Sequence, residues 1–461
     1  MKNLHIIYTL LFGVAVFLFF GLAYPHHLHY QEQYQLFLFD SNYMWEIVKQ
    51  PGGIADLLGR FCTQFFLFAW VGALIIALLL SAVQLLTFRL ANWGWLYGLS
   101  FVPSFLLWIF LLDENALLGG VWAVLLTQLA IWICLQMPNK WLQCIAIIVA
   151  IPILYWMAFG GSHYYRYPTV FPKLLYAAWL LAIIPPFIRH REHRGDREHR
   201  GNNSSTRPLV HSSAITILLC GLCFLCGLCA IWKNANFKAE KVMQYDFMAC
   251  HQQWNRILET INVEKPNNQI GVTVQNLALA MHGMLLEHMF EYNQNGIAGL
   301  LPDVKTDATS PLPTAEAFYQ LGMINVAQRT VFEAQEAILD FQKSGRCYKR
   351  LAQTNLINGS YEVARKYLAA LQKTLFYRDW ANETLPLLGN EEAIAKHPEY
   401  GRLRQSAYKE DYYFSDLVTP EMLESLYFSN TDNRLAYQYL LAYYMLTGDR
   451  EGYNNFISKQ R

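Results

Sequence analysis

The alternation of apolar and polar positions changes character once along the chain. Up to about residue 232 apolar residues run in long blocks, and after it they recur every three or four positions between charges. Seven blocks, about 5–24, 64–86, 94–112, 116–136, 141–160, 168–188 and 212–232, are each long enough to cross a hydrocarbon core, which needs ~20 residues. The sixth holds one formal charge, Lys173, near its start, where a long side chain can reach the headgroups. This pattern predicts a bundle of about seven transmembrane helices over 1–232. The first block, ending in Gly21-Leu22-Ala23, also reads as a secretory signal, but its length favours an uncleaved span. Pro103 and Pro152 fall inside the third and fifth blocks and predict kinks. Thr127 and Gln128, near the middle of the fourth, predict hydrogen bonds between helices. No ionisable residue lies at depth, which argues against an ion-coupled transporter or a proton pump.

From 233 to 461 the periodicity is helical throughout, with breaks at Pro266-Asn267-Asn268, Asn293–Gly296, Asp307–Pro313, Asn358-Gly359 and Gly448-Asp449. In 348–371, Tyr348, Leu351, Ala352, Gly359, Tyr361, Ala364 and Leu368 follow the spacing of a tetratricopeptide-like helical hairpin, with small residues where paired helices close. Tyr437, Leu440, Tyr444 and Gly448 repeat that spacing, and Trp254 and Ile257 mark a fainter third hairpin. Gly359 and Gly448 lie 89 residues apart, not a multiple of the unit of about 34, so the array is irregular. The expected fold is all-α: a transmembrane bundle followed by a soluble hairpin-repeat domain. Such an array exposes a concave face, whose default use is binding a protein or peptide. Tyr412, Tyr413, Tyr443 and Tyr444 are the candidate groove residues, with packing between hairpins as their structural alternative.

Charge supports the division. Of 461 residues 54% are hydrophobic and 15% charged; residues 1–232 carry 13 Lys+Arg and 9 Asp+Glu, and the remainder carries 23 and 26. A net charge of +1 leaves no electrostatic footprint for nucleic acid. Lys2, Arg89, Lys140 and six arginines within 189–211 (Arg189, Arg191, Arg194, Arg197, Arg200 and Arg207) fall on one side of a seven-span topology. By the positive-inside bias that side is cytoplasmic. The C-terminal domain is thereby expected outside the cytoplasm, which in a bacterium is the periplasm, with the bundle in the inner membrane. The repeated REHRG around Asp196 reads as a charged linker that holds its connection inside.

Several apparent ligand sets weaken on inspection. Cys220, Cys223, Cys226 and Cys229 recur every three residues, a spacing that drifts around a helix and presents no common face to a metal. His26, His27 and His29 with Glu32 lack a second set to complete a site, so no metal and no cofactor is expected. Cys250 and Cys347 are the two cysteines of the C-terminal part, and an oxidising compartment would permit a bridge between them.

The loop 25–60 is longer than a connection requires. Asp40 or Ser41 can cap a short helix bearing Met44, Trp45, Ile47 and Val48, Pro51-Gly52-Gly53 breaks it, and Ile54–Arg60 forms a second amphipathic piece. Two helices lying on the outer membrane surface are predicted. The run YQEQYQLFLFDSNYMWEIVKQPGGIADLLGRFCTQFF, over about 30–70, resembles an uncharacterised family of Bacteroidetes-type polytopic membrane proteins of unknown function, and the resemblance supplies no mechanism. A weaker similarity is to membrane glycosyltransferases that use lipid-linked sugars. It implies Glu32 or Asp40 as general base and Arg166, in HYYRY, as a phosphate contact, though the paired carboxylates of that pattern are missing from the loop. The leading expectation is a membrane-anchored scaffold or adaptor that contacts lipid through its spans and a protein or peptide through its repeat domain. No catalytic residue is assigned on that reading.

Overall fold

A computed structural model describes residues 2–91, 97–160, 164–167, 172–184, 209–302, 311–338, 342–408 and 419–460. The fold is all-α, with no strand among these residues. The chain forms two compact units, Met1–Phe237 and Lys238–Arg461.

In the first unit the helices are α1 (Lys2–Leu18), α2 (Pro25–Glu32), α3 (Ser41–Val48), α4 (Gly53–Thr63), α5 (Ala69–Ala91), α6 (Val102–Phe110), α7 (Gly119–Leu135), α8 (Lys140–Leu154), α9 (Lys173–Ile183) and α10 (Leu209–Asn234). Among the described residues four helical stretches, His5–Ala23, Ala69–Ala91, Lys140–Ala158 and Ile217–Asn234, are long and apolar enough to cross a membrane. This corrects the expected seven. The third block opens as a 3-10 turn, Tyr97–Phe101, so Pro103 lies in the first turn of α6 and kinks nothing, its missing N–H falling where none is needed. The fourth gives Ala116–Leu118 to a bridge with Tyr165 and a turn before α7 begins. The sixth contributes the 11 residues of α9, with 168–171 and 185–190 outside the described residues. Pro152 does lie inside α8, and the backbone widens to a π-turn over Tyr155–Phe159 directly after it. Gln128 on α7 donates to Thr87 on α5 at 2.8 Å, the helix-to-helix bond its position implied.

The core of this unit is aromatic: Phe12, Phe101, Phe105 and Trp108 meet edge to face or stacked, with Phe224 of α10 against them. Outward, Leu10, Leu78, Ile148 and Leu225 are exposed, an apolar surface unlike that of a water-soluble bundle. The four cysteines of α10 go from buried Cys220 to exposed Cys226 and Cys229, as a three-residue drift requires.

The second unit contains α11 (Phe237–Cys250, from its second residue), α12 (Trp254–Glu264), α13 (Gln269–Met281), α14 (Leu285–His288), α15 (Pro311–Leu321), α16 (Ile324–Glu336), α17 (Gly345–Ile357) and α18 (Tyr361–Leu371). The shorter α19 (Arg378–Thr384), α20 (Glu391–Lys396) and α21 (Pro398–Ser406) follow, then α22 (Thr419–Ser429), α23 (Arg434–Thr447) and α24 (Arg450–Lys459). α15 with α16 and α17 with α18 form closely paired hairpins, and α22 packs along α23. Gly359 turns α17 into α18 at φ +80°, and Gly448 turns α23 into α24 at φ +70°, a left-handed backbone where a side chain would strain. Ala364 is fully buried in the core that contains Leu356 and Ile357. Cys347 packs among Leu312, Val331 and Leu351, and both Cys347 and Cys250 are free thiols, so the permitted bridge is not formed.

Candidate functional site

The loop nominated by sequence folds inward over one end of the first unit. α4 is buried rather than laid on the surface, because Gly59 crosses Gly119 of α7 so closely that a Cβ on Gly59 would stand 2.4 Å from the Gly119 nitrogen. Its polar residues accordingly pair with each other. Arg60 donates through Nε and Nη2 to Asp56 Oδ2 at 3.0 and 2.8 Å, and both side chains are buried. This i,i+4 pair was hidden within a stretch that reads as amphipathic, and its polar face turns toward protein instead of water.

α2 is tied to two further segments. His27 Nε2 bonds to the Leu111 carbonyl at 2.9 Å and Gln31 donates to the Ala116 carbonyl at 3.0 Å. Ala116 in turn bridges Tyr165, with Leu117 N donating to Tyr164 O and Arg166 N to Asn115 O. The Tyr165 hydroxyl donates to Asp113 Oδ2 at 2.7 Å. Burial pushes the His27 imidazole down to about 4, against smaller opposing effects of its Leu111 bond and Asp113.

The three residues of the glycosyltransferase resemblance receive different tasks here. Asp40 caps α3, its Oδ1 accepting the amides of Asn42 and Tyr43 at 3.0 and 3.1 Å. Glu32 is buried as the last residue of α2. The guanidinium carbon of Arg166 sits over the ring of Tyr34, 3.5 Å from its centre, and Arg166 donates to the Tyr30 hydroxyl at 3.2 Å. The structure therefore joins Arg166 to the end of α2, while the Asp40 carboxylate is taken up by helix amides.

In the second unit the nominated tyrosines divide. Tyr412 and Tyr413 lie outside the described residues. Tyr444 is buried in the core and Tyr443 packs against it half-buried. A cavity of about 110 Å³ opens close to them, lined by Met323, Tyr408, Glu421, Met422, Ser425 and Leu426. Methionines of the turn before α16 and of α22 form its apolar wall, and Glu421 and Ser425 give it a polar edge. Sequence periodicity could assign Leu426 to a core face, but the meeting of α22 with Met323 is tertiary and leaves no local signal.

A second feature without a local signal is a buried chain of charges. Asp246 on α11 pairs with Arg346 on α17, which reaches Glu316 on α15, which pairs with Arg350 on α17. Arg350 stacks 3.6 Å from the centre of Tyr319, whose hydroxyl donates to Glu399 at 3.1 Å. Among the described residues no group of three metal-ligating side chains occurs.

The chain belongs to a family of unknown function, DUF6057, which matches it over residues 1–163 and 157–461 and so along its whole length. In comparisons with curated proteins and with solved structures, nothing matches.

Proposed function

We propose that this protein is a membrane-anchored adaptor, whose first unit resides in a bilayer and whose second unit binds a protein or peptide outside the cytoplasm. The observation that carries the reading is the cavity beside Met323 and Met422. At about 110 Å³ it matches one apolar side chain and is too small for an enzyme substrate of ordinary size, for which pockets run to roughly 300 Å³ or more. Methionine walls adapt to what enters them, as a recognition surface requires. The paired helices turned at Gly359 and Gly448 support a tetratricopeptide-like array, whose use is binding.

Orientation follows from one crossing. Arg189 to Arg207 precede α10 and the second unit follows it, so if the arginine flank is cytoplasmic the second unit lies opposite, in a bacterium the periplasm. The exposed apolar side chains of α1, α5, α8 and α10 are the surface that lipid would cover. Of the two carboxylates that a sugar-transferring enzyme could use as base, Asp40 accepts two amides through Oδ1 and Glu32 is buried.

The test is photo-crosslinking in the native membrane with a benzophenone side chain at Met422. A discrete adduct is expected, abolished when Leu426→Trp fills the cavity and absent from a probe at exposed Lys366. Equal adducts from both positions, or one indifferent to Leu426→Trp, would refute the cavity as the docking point.

A further inference from the structure

Among the described residues of the first unit two arginines are drawn inward, and they are accommodated differently. Arg60 has its carboxylate, Asp56. Arg166 is half-buried, stacked on Tyr34 and bonded to the Tyr30 hydroxyl, and no carboxylate among the described residues pairs with it. Asp113, on the segment that bridges to Tyr165, is already engaged by the Tyr165 hydroxyl and the Asn115 amide. A guanidinium taken partly out of water without a counter-charge is unfavourable, and proteins rarely leave one so. Tyrosine rings supply a platform but no formal negative charge.

Position narrows what completes it. Tyr30 and Tyr34 come shortly after the helical stretch His5–Ala23, and Arg166 shortly after Lys140–Ala158, both stretches long and apolar enough to cross a membrane. α2 and the Arg166 segment are joined through Ala116, so these ends share one face. Tyrosines at such ends sit at headgroup depth, where the abundant anion is phosphate. A guanidinium carries several N–H donors in one plane, and among the described residues a single side-chain bond uses one of them. The remaining N–H groups suit two oxygens of a phosphate, and the Tyr34 ring beneath the guanidinium carbon and the bond to Tyr30 hold the group in place before the ligand arrives.

We propose that Arg166, seated on Tyr34 and held by the Tyr30 hydroxyl, binds the phosphate of an anionic lipid headgroup at this face of the bundle. The site rests on the part of the proposed function that puts the first unit in a bilayer, and not on what the second unit binds.

Native mass spectrometry of the full chain from mild detergent tests it, with phosphatidylglycerol, a neutral galactosyl diacylglycerol of the same acyl chains, and inorganic phosphate as separate probes. One phosphatidylglycerol is expected to bind about tenfold more weakly to Arg166→Gln, the scale of a lost charge-assisted bond. Arg166→Lys should fall between, Lys173→Gln should match the parent, and the galactolipid should not distinguish any of them. Tyr34→Leu keeps the cation and removes its platform, and should also weaken phosphatidylglycerol, which decides the matter if Arg166→Gln does not fold. Equal retention of phosphatidylglycerol by folded parent and folded variants overturns the site. An equal loss of galactolipid overturns the role of phosphate, and binding of inorganic phosphate with no preference for the lipid overturns the lipid as its source.

Discussion

Asp246 accepts both terminal nitrogens of Arg346, at 2.6 and 2.9 Å, from a helix one hundred residues earlier in the chain. Both side chains are about nine-tenths buried, so the pair was taken out of water at a cost that its mutual attraction must repay. Removing Asp246 leaves Arg346 buried with only its longer, 3.4 Å contact to Glu316, a carboxylate that Arg350 already holds. Asp246→Ala is expected to cost ~3–5 kcal/mol, and Asp246→Leu with Arg346→Met to recover most of it. Urea unfolding of the full chain in mild detergent measures both, and a small loss in the single variant would show that water reaches Arg346.

The αL glycines at 359 and 448, the buried Ala364 and the helix capped by Asp40 were all legible in the sequence, because each follows from local backbone chemistry or from periodicity. Asp246 and Glu316 read as ordinary solvated charges, since what buries them is the meeting of α11, α15 and α17, which no local pattern records. Span number failed for a related reason. Hydropathy treats Tyr97–Phe101 and Ala116–Leu118 as parts of apolar blocks, whereas tertiary contacts turn them into a 3-10 turn and a bridged turn. The inward face of α4 was likewise set by the glycine crossing at Gly59 and Gly119, which only the structure reveals.

His27 makes stability depend on acid. Burial lowers its folded pKa to about 4, while in the unfolded chain it is near ~6.5. Between these values the unfolded state binds the extra proton, so the contribution is present above about pH 6.5 and is lost as pH falls toward 4. His27→Phe should flatten the fall in unfolding free energy across that window. An unchanged slope in the variant would assign the acid sensitivity to other groups.

Cys347 is fully buried, which pushes its thiol up to about 11, and Cys250 is also shifted upward by burial. Both should resist a maleimide at pH 8 in the folded protein, since the thiolate is the reactive form. In a variant retaining only these two cysteines, unfolding should expose two thiols whether or not reductant was present. A gain of two on reduction would mean that the cell joins what the structure leaves free.

Ala364 tests the hairpin register that underlies the binding reading. It is fully buried on α18, inside the pairing with α17, and Lys366 two positions later is exposed. Ala364→Leu must force extra methylenes into a closed contact and should cost ~1–3 kcal/mol. Lys366→Leu alters only a solvated position and should stay within about 0.5 kcal/mol. Urea unfolding of the two variants separates them. Shifts of equal size would mean that α17 and α18 do not close at Ala364, and the paired-helix array argued from Gly359 would go with it, because that turn directs the two helices into this contact.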